Sequence, residues 1–163
     1  MALSFLAAPA FLKAATQLRA GAATANISPA LGTSLAGFMT DRKTADVHDE
    51  LLVRCAALES GSSRALLAAI DSCMVPRLVL DDLRARIARE NSIDPACILF
   101  SSTHTHSAPP AMHLFQSLPD PAYIDLLKSR LADAARMAFS RLRPARLGFG
   151  VGHEPTLVFN RRY

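Results

Sequence analysis

Two apolar runs of similar length, ELLVRCAAL at 50–58 and RALLAAI at 64–70, are separated only by ESGSS. No other feature limits the fold as much. Both runs have strand length, and a short polar link with Gly61 in it reads as the turn of a hairpin. Whatever follows must therefore build onto an antiparallel pair. The second run ends at Asp71, which puts a carboxylate at the carboxyl end of a strand.

Beyond the pair the period changes. Val79, Leu83 and Ile87 recur at i, i+4 and i+8 within 76–90, one apolar helical stripe with arginines and acids on the remaining face. NSIDP interrupts it, and CILF at 97–100 begins another strand. Asp120-Pro121 is a helix start, Asp as N-cap and Pro in the first turn. Ile124, Leu127, Leu131, Ala135, Ala138 and Leu142 carry the apolar face of that helix, and Pro144 ends it. ARLGFGVG at 145–152 reads as a last strand and RAGAATANI at 19–27 as a first one, rich in small residues. Strands alternate with helices after Arg64, so the expected class is α/β, and the hairpin makes the sheet mixed, with helices flanking it. Between Ser28 and Val47 runs a loop with Pro29, Gly32 and Gly37 and no periodicity, a length that is usually functional or lid-like.

A chain of 163 residues, half of them apolar, suits one domain with a sizeable core, and no stretch nears the apolar length that spans a bilayer. The net charge of +4 raises the question of nucleic acid. Its basic residues, Arg84, Arg86, Arg89, Lys128, Arg130 and Arg136 among them, spread along the expected helices without a nucleic-acid motif, and tryptophan is absent. No nucleic-acid partner is expected, whereas peripheral contact with an anionic lipid surface is compatible with the charge. Cys55, Cys73 and Cys97 are spaced too widely for a zinc knuckle and read as small buried hydrophobes in or beside apolar runs. Residues 1–18 have the apolar centre and small residues of an export signal but no positive charge ahead of them, so a periplasmic or secreted protein is one reading.

The chemistry concentrates in CILFSSTHTHSAPPAMH, residues 97–113. In an extended chain, residues two apart share a face, so His104 and His106 project together from the end of a strand. Neutral imidazoles converging there suit Zn²⁺, and open α/β sheets carry their ligand sites outside the carboxyl ends of strands. Thr103 and Thr105 point the other way and can fix the loop by hydrogen bonds. Two ligands do not complete a catalytic zinc site, which takes three protein ligands and an open position. The competing reading is two histidines satisfied by backbone carbonyls. His48, in ADVHDELLVR, and Asp71 are candidates for the vacant role, Asp71 either as a ligand or as the carboxylate that orients an imidazole. His113 and His153 read as solvated loop histidines, and Ser107 lacks the Gly-x-Ser-x-Gly setting of a nucleophile.

LFSSTHTHSAPPAM resembles the Thr-His-Thr-His-Ser-Gly-Pro segment of the neutral, non-lysosomal ceramidase family. GAATANISP, LAGFMTDRKTADVHDELLVRCAAL, LLAAIDSCM and FNRRY are similar to further elements of that family and come in the same order. The resemblance covers nearly all of the chain from Arg19 onward. It implies a zinc-dependent amidase that cleaves the N-acyl bond of a lipid amide, ceramide in that family. It implies His104 as a zinc ligand, His106 at or beside the metal, and His48 and Arg161 as residues that position substrate or stabilise an oxyanion. Asp71 matches the family's strand-ending aspartate. Residues 19–163 are then the amino-terminal portion of a longer catalytic domain, incomplete on its own. Its remaining ligands, a distant His, a Glu and a Tyr, come from a further part or a second polypeptide. Ala108-Pro109-Pro110 departs from the family's Gly-Pro-Gly, and Asn26-Ile27-Ser28 from its Asp-Ile-Thr. A metallo-β-lactamase requires His-x-His-x-Asp-His, and a (β/α)₈ amidohydrolase a longer chain. The alternative function is a catalytically incomplete remnant that binds a metal or ligand.

Overall fold

The expected hairpin is the centre of the sheet. In the computed structural model, which describes residues 17–157 and Arg162, the long strands are β1 (Leu18–Asn26), β4 (Leu52–Ser60) and β5 (Ser63–Ile70). Between the first two lie the short β2 (Ser34–Leu35) and β3 (Arg42–Lys43). Helix α1 (Arg77–Asn91), strand β6 (Ile98–Ser102), helix α2 (Pro121–Ser140) and the two-residue β7 (Arg143–Pro144) follow. The signal-like stretch up to residue 16 and Arg161 lie outside the described residues.

β4 and β5 pair antiparallel through Ser60↔Ser63, leaving the two-residue loop Gly61-Ser62. Gly61 takes φ 59°, the positive value that the first loop residue of a type II′ hairpin needs. After β5 the chain crosses over through α1 and returns as β6, parallel to β5. The main sheet has the order β6-β5-β4-β1-β7 and is mixed, as expected. α2 begins where the sequence says it should, with the Asp120 carboxylate accepting a hydrogen bond from the Ala122 N–H at 2.9 Å and Pro121 in the first turn.

Both helices lie on one face of the sheet, α2 over β1 and β4, and α1 against α2 and the end of β6. Ile27, Val53, Leu66, Ile70, Leu127 and Leu131 are fully buried between sheet and helices. Each such side chain contributes about 1.5–3 kcal/mol relative to exposure. The small residues of β1 have a purpose here. A Cβ on Gly21 would stand 2.1 Å from the Ala138 carbonyl oxygen, so the absent side chain lets the carboxyl end of α2 rest directly on the strand. Ala134, Ala135 and Ala138 on α2 are fully buried for the same reason.

The opposite face carries a row in register across four strands, Ala22, Ala56, Leu67 and Leu99, with Leu67 46% and Leu99 59% exposed. Three expectations are corrected. The last strand is β7, and 145–152 runs on as coil with Leu147, Phe149 and Val151 exposed. The helix stops at Ser140, before Pro144, because the chain turns to pair with β1 through Arg19↔Pro144. Cys97 is exposed, since it lies in the 3₁₀ turn Pro95–Cys97 that precedes the buried part of β6, whereas Cys55 and Cys73 are buried as expected. Among the described residues no helix is long and apolar enough to cross a membrane.

Candidate metal centre

Because β5 and β6 are parallel neighbours, their carboxyl ends lie side by side, Ile70 opposite Ser102. The chain leaves β5 through Asp71-Ser72-Cys73 and leaves β6 through residues 103–106. The Thr103 N–H donates to the Ile70 carbonyl at 3.0 Å and holds the two exits together.

His104 sits in the left-handed region, φ 62°. A non-glycine residue kept there costs on the order of 1 kcal/mol and marks a backbone fixed by its surroundings. One restraint is visible: its Nδ1 lies 2.8 Å from the carbonyl oxygen of Cys73. A carbonyl only accepts, so Nδ1 carries the hydrogen, and in the neutral ring Nε2 keeps its lone pair. That Nε2 stands 3.5 Å from Nε2 of His106, with ring centroids 5.1 Å apart and ring planes at 70°. Two nitrogens held at 2.0–2.1 Å from one tetrahedral zinc are separated by roughly 3.3 Å. The pair therefore fits a single ion. The convergence has a different origin from the one the sequence suggests: β6 ends at Ser102, and it is the left-handed turn at His104, not a continuing strand, that brings the rings together.

The loop after β1 supplies the other wall. The Ala36 N–H donates to the Ala108 carbonyl at 2.8 Å, and the buried Ser117 hydroxyl donates to the Leu35 carbonyl at 2.9 Å. Gly37, at φ 90°, backs onto His106 so closely that a Cβ would stand 2.3 Å from the ring Cγ. Both the conformation and the contact require glycine. Gly37→Ala is expected to displace the His106 ring and weaken zinc binding about tenfold or more, although both imidazoles remain in the chain. Competition against a chromophoric zinc chelator measures it.

The threonines act as the sequence suggests. The Thr105 hydroxyl accepts from the Ser107 N–H at 3.3 Å, and Thr103 helps lower the pKa of the Asp71 carboxyl.

Asp71 is committed to strand ends. Its carboxylate accepts from the Leu52 N–H at 3.0 Å and from Arg54 Nη1 at 2.9 Å. Burial works to raise its pKa, but the Arg54 and Leu52 hydrogen bonds and the guanidinium charge outweigh it and hold the group below its usual value. The phenol of Tyr123, pushed up by burial and then by the charge of Asp71, has a buried hydroxyl with no hydrogen-bond partner among the described residues. His48 is exposed, with Nδ1 3.1 Å from the Asp49 carboxylate. It lines an open cleft of about 640 Å³ together with Arg54, Asp71, Thr105 and Ser107, which borders the histidine loop. His113 and His153 are exposed.

Among the described residues, the cluster able to hold a metal ion is Cys73, His104 and His106, with one ligand atom from each lying within 4.8 Å of the others. Cys73 is the residue that sequence reasoning missed. Its position three residues past the end of a strand acquires meaning only once that strand is known to run parallel beside the one bearing the histidines.

No family model matches this chain and no curated protein matches its sequence. Solved structures do match its fold. Neutral ceramidase from Pseudomonas aeruginosa superposes with a TM-score of 0.66 over 79% of this chain, at 20% sequence identity. A ceramidase complexed with C2 gives the same TM-score and coverage at 22% identity. At these identities the likeness establishes the fold, a mixed α/β region like one in ceramidase, in agreement with the resemblance read from the histidine segment. The chain spans 22% of the length of each of those structures.

Proposed function

We propose that this chain is the amino-terminal part of a zinc-dependent amidohydrolase of the neutral ceramidase kind, acting on the N-acyl bond of a lipid amide. The observation that carries the reading is the 3.5 Å approach of the two imidazole Nε2 atoms, beyond the carboxyl ends of two parallel strands, in a ceramidase-like fold. His104 and His106 would hold the ion. When bound, zinc supplies Lewis acidity toward an amide carbonyl and lowers the pKa of water at its open position. The Cys73 carbonyl fixes the tautomer and direction of His104, and Gly37 fixes the ring of His106. His48, at the rim of the adjoining cleft, is free to meet substrate, and Arg161 is assigned to the developing oxyanion by resemblance alone. The loops on either side of the histidines carry Met39, Met112, Phe115 and Leu118 exposed, a surface suited to an acyl chain. The net charge of +4 supports peripheral approach to an anionic lipid surface, where such a substrate resides.

A second reading, a metal-binding segment with no turnover of its own, is favoured by the span of 22% of the solved ceramidases. It makes the remaining part of the catalytic domain the natural partner. Hydrolysis of N-acyl sphingosine and of simpler N-acyl amines separates the two. Turnover by the purified chain that stops with a zinc chelator and returns with zinc supports the enzyme. Zinc uptake without turnover of any N-acyl substrate supports the segment.

A further inference from the structure

Both helices cover one face of the main sheet, and the other face carries no layer among the described residues. A sheet face that is apolar across four strands is ordinarily covered by a second layer. We propose that this face is an interface with a second copy of the chain, the two sheets stacked about a two-fold axis that runs parallel to the strands between β4 and β5. The inference concerns a different surface from the histidine site and does not depend on it.

The order of side-chain sizes across the sheet carries it. Read along β6-β5-β4-β1, the central row of the open face is Leu99, Leu67, Ala56, Ala22. Large residues occupy one half of the sheet and small ones the other. Rotation about the axis lays this row on its own reverse, so Leu67 of each copy falls over Ala56 of the other, and Leu99 over Ala22. The flanking rows obey the same rule. Leu58 pairs with Ala65 across β4 and β5, and Arg54 with Ala69, so each large side chain again meets a small one. An isologous interface requires this kind of self-complementarity. A two-fold axis across the strands would instead set Leu67 on Leu67 and Ala56 on Ala56, a clash beside a void. Aligned sheets stack about 10 Å apart with their inner side chains interdigitated, and a shallow apolar trough of about 380 Å³ bordered by Ala22, Ala56, Leu67 and Leu99 is open to receive them. Charge does not oppose the contact. Arg54 is the charged residue of these rows, and both oxygens of the Asp71 carboxylate accept from its Nη1 at 2.9 Å. The axis preserves strand direction, so both histidine pairs would open at the same end of the dimer.

Sedimentation equilibrium of the full chain over a dilution series tests this, with a chelator present so that no shared ion bridges two copies. The expected result is a reversible monomer–dimer equilibrium. Leu67→Lys is expected to weaken the dimer at least about 100-fold, because each interface would then bury two unpaired ammonium groups. Leu99→Lys, on the edge strand, gives the same loss if circular dichroism shows that Leu67→Lys folds poorly. Ala56→Leu sets leucine against leucine and is expected to weaken association about tenfold or more. Adding Leu67→Ala to it puts large over small again and is expected to recover most of that loss. These two residues are neighbours on paired strands, so the exchange conserves the volume of the face. A parent chain that stays monomeric at every concentration overturns the proposal and leaves the face to a layer from another polypeptide. A dimer that both lysine variants leave intact overturns this face as the interface. A double variant no tighter than Ala56→Leu alone overturns the two-fold arrangement.

Discussion

His104→Ala is expected to abolish zinc uptake by the purified chain, from about one ion per molecule to none retained after gel filtration. The substitution removes the ring whose Nε2 faces His106 at 3.5 Å. It also frees the Cys73 carbonyl from its 2.8 Å hydrogen bond, so the loops after β5 and β6 lose a tie as well as a ligand. Loss of a group that only orients a ligand costs 10–100-fold in metal affinity, and loss of a ligand should exceed the top of that range. The fold should survive, because His104 is exposed and makes no contribution to the core. Alanine keeps a Cβ at φ 62° and so inherits the strain of about 1 kcal/mol that histidine already bears, whereas His104→Gly relieves it and serves as the control. Metal content by atomic absorption and circular dichroism together read the result. Undiminished zinc in both variants would remove the basis for the proposed function.

The largest loss of stability is expected from Gly21→Ala. The added methyl would meet the Ala138 carbonyl oxygen at 2.1 Å, the Arg141 carbonyl carbon at 2.9 Å and the Leu142 nitrogen at 2.9 Å. All three are backbone atoms, so no rotamer change can make room, and the carboxyl end of α2 must lift from β1. Overfilling a tight interior costs about 1–3 kcal/mol or more, and a backbone clash belongs at the upper end. For a domain of this size that lowers the melting temperature by roughly 6–12 °C. Gly148→Ala, where nothing lies within 4 Å of the new methyl, should fall within about 0.5 kcal/mol of the parent. Equal melting curves for Gly21→Ala and the parent would contradict the close approach of helix and strand.

What the sequence makes legible is local chemistry. The ESGSS link, the Asp120-Pro121 start and the stripe through Leu83 and Ile87 each encode a turn, a cap or a buried face within a few residues. The histidine pair is legible for the same reason, being separated by one residue. The rest of the site is not local. Cys73 and Gly37 reach the imidazoles only through the parallel crossover and the long loop after β1, neither of which leaves a periodic trace. Two misreadings have similar roots. The alternation of Leu147, Phe149 and Val151 has the period of a strand, but no neighbouring strand receives it among the described residues. Cys97 adjoins an apolar run, yet the 3₁₀ turn ahead of β6 leaves it in water.

The imidazole pair is aimed by groups distant in sequence: residue 37 walls one ring, and the carbonyl of residue 73 steers the other. A denatured chain keeps the two rings but loses their aim. Under the proposed function, thermodynamic linkage would make the cation a stabilising effector of the native state: free ion at a hundred times its dissociation constant would add about 2.7 kcal/mol. Occupancy and conformational integrity become one equilibrium, so ion scarcity would be felt as a shorter lifetime of the polypeptide as well as an idle centre.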